Sequence, residues 1–255
     1  MYYEEVKKIS DAAQVKSEFL KRSPAKYLLS SAFAGMYVGF GILLIFSIGG
    51  ALSQADSPIV KTVMGLSFGI ALSLVIMAGS ELFTGNNLIM TIGNMEKKVT
   101  FSETFNIYFF SFIGNLLGSF LLAYLFVSSG LAQGSTVIFM AKIAHSKVSL
   151  PWNELIVRGI LCNILVCLAI WCSFKMKEEI GKLIMIFWCL FAFITTGFEH
   201  SVANMTLLST VLIMPGVETI SLAGFFYNIG FVTLGNFIGG ALFIALPYWY
   251  ISQQK

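Results

Sequence analysis

The stretch GSELFTGNN, from Gly79 to Asn87, ends an apolar run that begins at Thr62 and carries no charge before Glu81. A carboxylate, two glycines and two amides are out of place at the end of a plain membrane-spanning helix. An unpaired backbone group in hydrocarbon costs several kcal/mol, so a break in a span is tolerated only where protein buries it or where it lines a wet cavity. The pattern returns as GFEHSVANM, from Gly197 to Met205, with Gly79, Glu81 and Asn86 recurring as Gly197, Glu199 and Asn204, each 118 residues on. A break in a membrane span, repeated once, is the reading that decides the fold.

The rest of the chain agrees with it. Of 255 residues, 57% are hydrophobic and only 11% charged, against roughly 25% charged in soluble domains; the mean hydropathy is +0.83. This balance leaves no room for a separate soluble domain, and the chain reads as a single transmembrane domain, 1–255. The net charge of +3 comes without a basic tract suited to nucleic acid. Residues 1–27 are charged and mixed, with no apolar core of a signal peptide, and read as a cytoplasmic N-terminal segment.

A spanning helix needs about 20 apolar residues. Six segments qualify: 28–50, 62–80, 104–127, 159–174, 183–198, and a last one within 219–252. The second and fifth run into the two polar patches, with short continuations expected over 88–92 and 205–214. Lys and Arg in short loops set the orientation. Twelve lie on one side, in the N-terminal tail, the loops around Lys97 and Lys177, and Lys255; three, Lys61, Lys142 and Lys147, lie on the other. Both termini are therefore expected in the cytoplasm, with the loop from Ser128 to Trp152 over the outer face.

The repeat extends beyond the breaks. GNLLG at Gly114–Gly118 returns as GNFIG at Gly235–Gly239, 121 residues on. Each half, 28–127 and 154–252, holds three spans, and an odd number inverts the second half relative to the first. The expected fold is therefore an all-α membrane protein of six transmembrane helices in two inverted three-helix repeats, the second and fifth helices broken. In such proteins the site lies at the repeat interface near the midplane. The paired glycines Gly35/Gly39, Gly65/Gly69, Gly114/Gly118 and Gly235/Gly239 have the spacing that lets helices approach closely.

At the breaks, Gly85 offers backbone freedom, and Thr84, Asn86, Asn87, Ser201 and Asn204 offer partners for freed backbone groups. Glu81 and Glu199 are expected to brace the breaks by accepting hydrogen bonds. His200 breaks the symmetry, since Leu82 stands 118 residues before it. An imidazole in a broken span can attract an anion as the charged ring or hand it a proton. Desolvation favours the neutral ring, and Glu199 or an entering anion the charged one. Arg158 is expected to pair with Glu154 one turn earlier, His145 to be exposed, and Lys147 to draw anions toward the mouth. Cys162, Cys167 and Cys172 turn by about 140° at each step of five and share no helix face, so neither a disulfide framework nor a metal site is expected. No cofactor is called for.

The motifs GSELFTGN, RGILCNILVCLAIW (Arg158–Trp171), GFEHSVANM and GNFIGG occur in an order that resembles the formate/nitrite transporter family, over about residues 20 to 250, and within it the hydrosulfide channel branch. The resemblance implies an aquaporin-like protomer in a homopentamer within the inner (plasma) membrane, with one pore per protomer for small monovalent anions. It implies that Leu82, Phe83 and Thr84 form a loop at the pore, that His200 is the central residue, and that Asn163 lies near it. Phe68, Leu72, Val166 and Phe193 match two apolar slits; Phe193, seven residues before His200, is expected on the same helix face. Lys147 matches an outer-vestibule lysine and Lys26 an inner one.

Two other readings stand beside this one. A water or glycerol channel would carry Asn-Pro-Ala at its half-helix starts, and none of the five prolines follows an asparagine. A membrane enzyme would need a nucleophile with a base, or a metal cluster; one histidine with one glutamate is not a zinc site.

Overall fold

The computed structural model describes residues 2–217 and 219–253, and among these the regular structure is all helix. Six segments are long and apolar enough to cross a bilayer. In chain order the helices are α1 (Tyr3–Arg22), α2 (Pro24–Gln54), α3 (Val60–Ser67), α4 (Ile70–Met77), α5 (Phe83–Met95) and α6 (Phe101–Ser128), then α7 (Gly134–Val148), α8 (Trp152–Lys175), α9 (Glu179–Thr196), α10 (Ser201–Ile213), α11 (Leu222–Gly240) and α12 (Leu246–Ser252). A single π turn, Ala241–Ala245, joins the last two.

Two elements were not foreseen as helices. The N-terminal segment forms α1, whose buried residues Val6, Ile9, Ser10, Ala13, Ser17 and Leu20 recur at helical spacing along one face. That face lies on α5, where Ala13 occupies the space that a side chain on Gly93 would need. The loop over the far face contains α7, packed against α2 through Phe139 and Phe46, whose ring centroids are 5.6 Å apart. Each half thus begins with a surface helix, α1 or α7, ahead of its first span.

The glycine pairs act at two equivalent crossings. Gly114 and Gly118 of α6 meet the backbone of α2 around Leu28 and Ala32, while Gly235 and Gly239 of α11 meet the carbonyls of Ile156 and Ile160 on α8. A Cβ at any of these positions would strike main chain, which explains why the spacing recurs. Thr100 opens α6 with a capping box to Glu103, and Ser221 caps α11 by accepting from Gly224 N–H.

Both ends of the described chain lie at one end of the bundle. Trp249 Nε1 donates to Glu96 at 2.7 Å, Lys98 meets Asp11 at 3.0 Å, and the Tyr2 ring lies edge-on against the stacked rings of Trp171 and Tyr248. The N-terminal helix, the α5–α6 turn and the end of α8 therefore share the face on which the sequence places most of its basic residues. Lys255, counted with them, lies outside the described residues.

Candidate functional site

Both broken spans stop at a glycine in the left-handed region, Gly79 at φ 77° and Gly197 at φ 84°. The chain then crosses in extended conformation through Leu82 (φ −96°, ψ 123°) and His200 (φ −114°, ψ 115°), and a half-helix starts at once, α5 at Phe83 and α10 at Ser201. This corrects two expectations. The continuations begin at 83 and 201, not at 88 and 205, and the conformational freedom is used at Gly79 and Gly197 while Gly85 is helical. Thr84, Asn86 and Asn87 consequently lie in the first turns of a helix, and their side chains turn to neighbouring elements and not to the freed backbone groups, as where Asn86 donates to the Tyr27 hydroxyl at 3.3 Å.

The freed backbone groups go to two asparagines that the sequence reading passed over. Asn115 of α6 accepts from Phe83 N–H at 2.9 Å and donates to Ser31 O at 2.7 Å and Glu81 O at 2.9 Å. Asn236 of α11 accepts from Ser201 N–H at 2.9 Å and donates to Gly159 O at 2.8 Å and Glu199 O at 2.9 Å. Both are fully buried. The signal was available: each is the N of a repeated GN motif, a polar residue recurring in register inside an apolar span.

Glu81 and Glu199 accept from side chains instead. Glu81 accepts from Lys16 Nζ at 2.7 Å on each of its two oxygens and from the Tyr27 hydroxyl at 2.9 Å. Glu199 takes Lys147 Nζ at 2.7 Å and Asn204 Nδ2 at 2.6 Å. Lys147 is held in turn by Asn228, whose amide donates to the Lys147 carbonyl at 3.0 Å and accepts from Asn204 at 2.8 Å. The two ion pairs are equivalent, each a lysine from a surface helix reaching the glutamate of a break. Lys26, expected in this place on the terminus side, is exposed on α2. Lys16 occupies it because α1 folds back under α5, a docking that only tertiary structure reveals. Arg158 pairs with Glu154 at 2.7 Å, and His145 is exposed with Nδ1 3.1 Å from Thr219 O.

Two vestibules approach each other from opposite ends. The one on the terminus side, about 550 Å³, reaches from Lys16 and Lys182 to Leu72 and Leu82. The one on the far side, about 360 Å³, reaches from Lys61 and Lys147 to Phe193 and His200. Between them lies a waist of about 10 Å³ lined by Phe68, Leu72, Leu82, Val166, Phe193 and His200, among others. A space of ~10–15 Å³ by this measure holds about one water, so anything crossing must leave its hydration shell behind.

The remaining residues singled out from the sequence fall around this waist, with one exception. Thr84 Oγ1 is 3.1 Å from His200 Nε2. Asn163 donates to the Thr84 carbonyl at 3.3 Å, with Cys167 beside it. The Phe193 ring stacks on the His200 ring at 5.9 Å and meets Phe68 edge-on at 5.6 Å. Phe193 reaches His200 although the two do not share a helix: α9 ends at Thr196, and the turn at Gly197 brings His200 back beneath it. Phe83 is the exception. Its ring packs against Phe112 and Tyr108 of α6, at 5.5 and 5.9 Å, away from the waist.

His200 caps α10, its Nδ1 accepting from Ala203 N–H at 3.1 Å. A ring nitrogen that accepts carries no proton, so the hydrogen bonding assigns the neutral tautomer with the proton on Nε2, donated to Thr84. A second proton on Nδ1 would displace the cap. The charged ring entertained from the sequence is thus not the form that this backbone holds. Leu82, at the equivalent position before α5, offers no side-chain cap.

Comparison with known proteins places this architecture. Residues 3–250 match the family described as Formate/nitrite transporter. The chain is 41% identical to the "Nitrite transporter NirC" of Escherichia coli (strain K12), over all of this chain and 94% of that one. Among solved structures it is similar to an "FNT family ion channel" (TM-score 0.92, 38% identity, 98% of this chain and 99% of that one). It is also similar to a "Pentameric formate channel with formate bound" (TM-score 0.80, 25% identity, 91% of this chain and 98% of that one). The chain belongs to the formate/nitrite transporter family, and is a membrane transport protein and not an enzyme.

Proposed function

We propose that the protein passes small monovalent anions of the formate, nitrite and hydrosulfide class through a pore in each protomer, assembled as a homopentamer in the inner (plasma) membrane with both termini in the cytoplasm. The observation that carries this reading is the waist. Two half-helices, α5 and α10, start beside it, so the positive ends of both dipoles point at the place where an anion is least stable. A charge at the bilayer centre costs about 2.5–3.5 kcal/mol even on a lenient scale. The Thr84 hydroxyl, the Nε2–H of His200 once it exchanges Thr84 for the anion, and the first-turn N–H groups of α5 not taken by Asn115 are the donors that offset it. Lys16 and Lys147 stand at the two approaches, each paired with a carboxylate, so an empty vestibule gains no charge from its pair. The relatives named for nitrite and formate transport support the substrate class; the branch resemblance keeps hydrosulfide within it. Uptake of these three anions into proteoliposomes tests the proposal, and absence of flux for all three would end it.

The waist makes a sharper prediction. Phe193→Ala removes a ring from its far edge and should admit larger anions such as lactate, with small-anion flux little changed. Truncating a buried phenylalanine costs about 3–5 kcal/mol, so the comparison is made on protein shown to be intact by size-exclusion chromatography. Unchanged size selectivity in such protein would put Phe193 off the pathway.

The orientation is tested by labelling. Lys97 and Lys177 should react with an impermeant amine reagent only from the cytoplasmic side, and Lys142 only from outside. Labelling of Lys97 from outside would overturn the placement of the termini.

A further inference from the structure

The two vestibules differ in ways that transport of a small ion does not require. On the terminus side, Ser30, Ser80 and Ser173 join Lys16 and Lys182, and Phe174 is the one phenylalanine of the lining. The far-side vestibule contains four phenylalanines, Phe46, Phe139, Phe193 and Phe198, packed about by aliphatic side chains. Phe139, delivered by the surface helix α7, lies against Phe46 and over Gly49, where any side chain would displace it. At the rim of this apolar chamber stands Lys61, exposed and without a carboxylate partner among the described residues; Lys147 and Arg158 nearby each have one. The volume, about 360 Å³, is within the ~300–1,000 Å³ of small-molecule sites and far more than a three- or four-atom anion fills.

Resting on the pore reading above, we infer that the far-side vestibule is a binding site for amphipathic organic monoanions, compounds with one anionic headgroup and a compact apolar body. The headgroup meets Lys61, with Lys147 behind it, and the body lies among Phe46, Phe139 and Phe198. A body that fills this chamber cannot enter a waist of about 10 Å³, so such a compound enters and stops. It blocks the small-anion pathway from that side, and the protein answers to organic acids that it does not carry. Charge complementarity selects the headgroup and the aromatic walls select the body. Aromatic carboxylates and sulfonates meet both demands.

Benzenesulfonate is a suitable probe because it stays ionised at all working pH values and crosses lipid poorly. Methanesulfonate, with the same headgroup and no body, is its control. Binding to the purified full-length protein is measured by isothermal titration calorimetry, and block by formate uptake into proteoliposomes with the probe on both sides, each variant normalised to its own uninhibited rate. Benzenesulfonate should bind and block at least about tenfold more tightly than methanesulfonate, from the apolar area that it buries. Phe139→Ala should weaken both readouts about fivefold and Lys61→Gln about threefold, whereas Phe174→Ala and Lys182→Gln in the other vestibule should leave them unchanged. Equal affinity for the two sulfonates, no binding, or sensitivity to Phe174→Ala in place of Phe139→Ala would each overturn the inference. Binding with this pattern in a protein that passes no formate, nitrite or hydrosulfide would sustain the site and remove the pore reading instead.

Discussion

Asn236→Ala should abolish or severely lower the yield of folded protein, and Asn115→Ala should do nearly the same. Each asparagine makes three buried hydrogen bonds to main chain, one accepted and two donated; two of the three end on groups at the break, and the third ties it to a carbonyl of a neighbouring helix, Ser31 O or Gly159 O. Leaving a buried partner unsatisfied costs ~1–3 kcal/mol, so the two groups orphaned at each break amount to on the order of 2–6 kcal/mol, a large part of the ~5–15 kcal/mol that a typical folded protein has. Asn236→Asp separates the contributions: it keeps the acceptor for Ser201 N–H and turns both donations into repulsions with the carbonyls of Gly159 and Glu199. It should therefore be no better than alanine. Asn106, exposed on the same helix as Asn115, is the control, and Asn106→Ala should melt with the wild type. The measurement is the melting midpoint by fluorescence-detected size-exclusion chromatography. Asn236→Ala protein that melts within a few degrees of wild type would show that the break holds itself up.

His200→Asn is expected to leave the fold intact and to lower flux by tenfold or more. Asparagine is among the preferred N-cap residues, so the bond from Ala203 N–H survives. Its short side chain does not extend to the position of Nε2, and the donor next to Thr84 is lost. A hydrogen bond to a charged group is worth about 1.5–3 kcal/mol, which converts to roughly 10- to 150-fold in rate. Because the cap holds the ring neutral, the pH profile of flux, once normalised, should superimpose on that of the wild type between pH 5 and 8, the range in which a histidine ordinarily titrates. From sequence alone the ring stood as a charge that attracts the anion or as a proton donor to it, and either role would make the profile of His200→Asn change shape. Flux measured across that range in liposomes, with the proton gradient varied separately, decides between them. A profile for His200→Asn that changes shape would mean that the ring gains a proton during transport and that the cap opens to let it.

The two outcomes bear on different parts of the site. The asparagines hold the chain ends at the breaks and touch nothing that moves; the histidine faces the waist. The ion pairs lie between these cases. Breaking a buried pair by removing one partner costs ~3–5 kcal/mol, and Glu199 is more deeply buried than Glu81 (3% and 12% side-chain exposure). Loss of Lys147 is therefore the more damaging of the two lysine substitutions.

The six spans, the two breaks and the inverted repeat were legible in the amino-acid sequence because hydropathy and periodicity are local quantities. An apolar run long enough to span, a Gly-x-Glu at its end and the same pattern 118 residues later need no knowledge of neighbours. His200 was legible for the same reason, since a histidine in a broken span stands out wherever it points, whereas Phe68, Leu72, Val166 and Phe193 were named through the family resemblance. Tertiary structure alone decided the rest. Which lysine reaches Glu81 depends on α1 folding back against Gly93, a docking of an exposed-looking segment that hydropathy does not register. Whether Phe83 faces the pore or α6 depends on starting the half-helix at residue 83 and not at 88, which turns every following side chain by about 100° per residue. The form of the His200 ring depends on a backbone N–H three residues away that points at Nδ1 only because Gly197 has turned the chain and Asn236 holds it there. In each case the deciding partner is distant in sequence or set by a backbone angle, and no reading of composition or spacing carries that information.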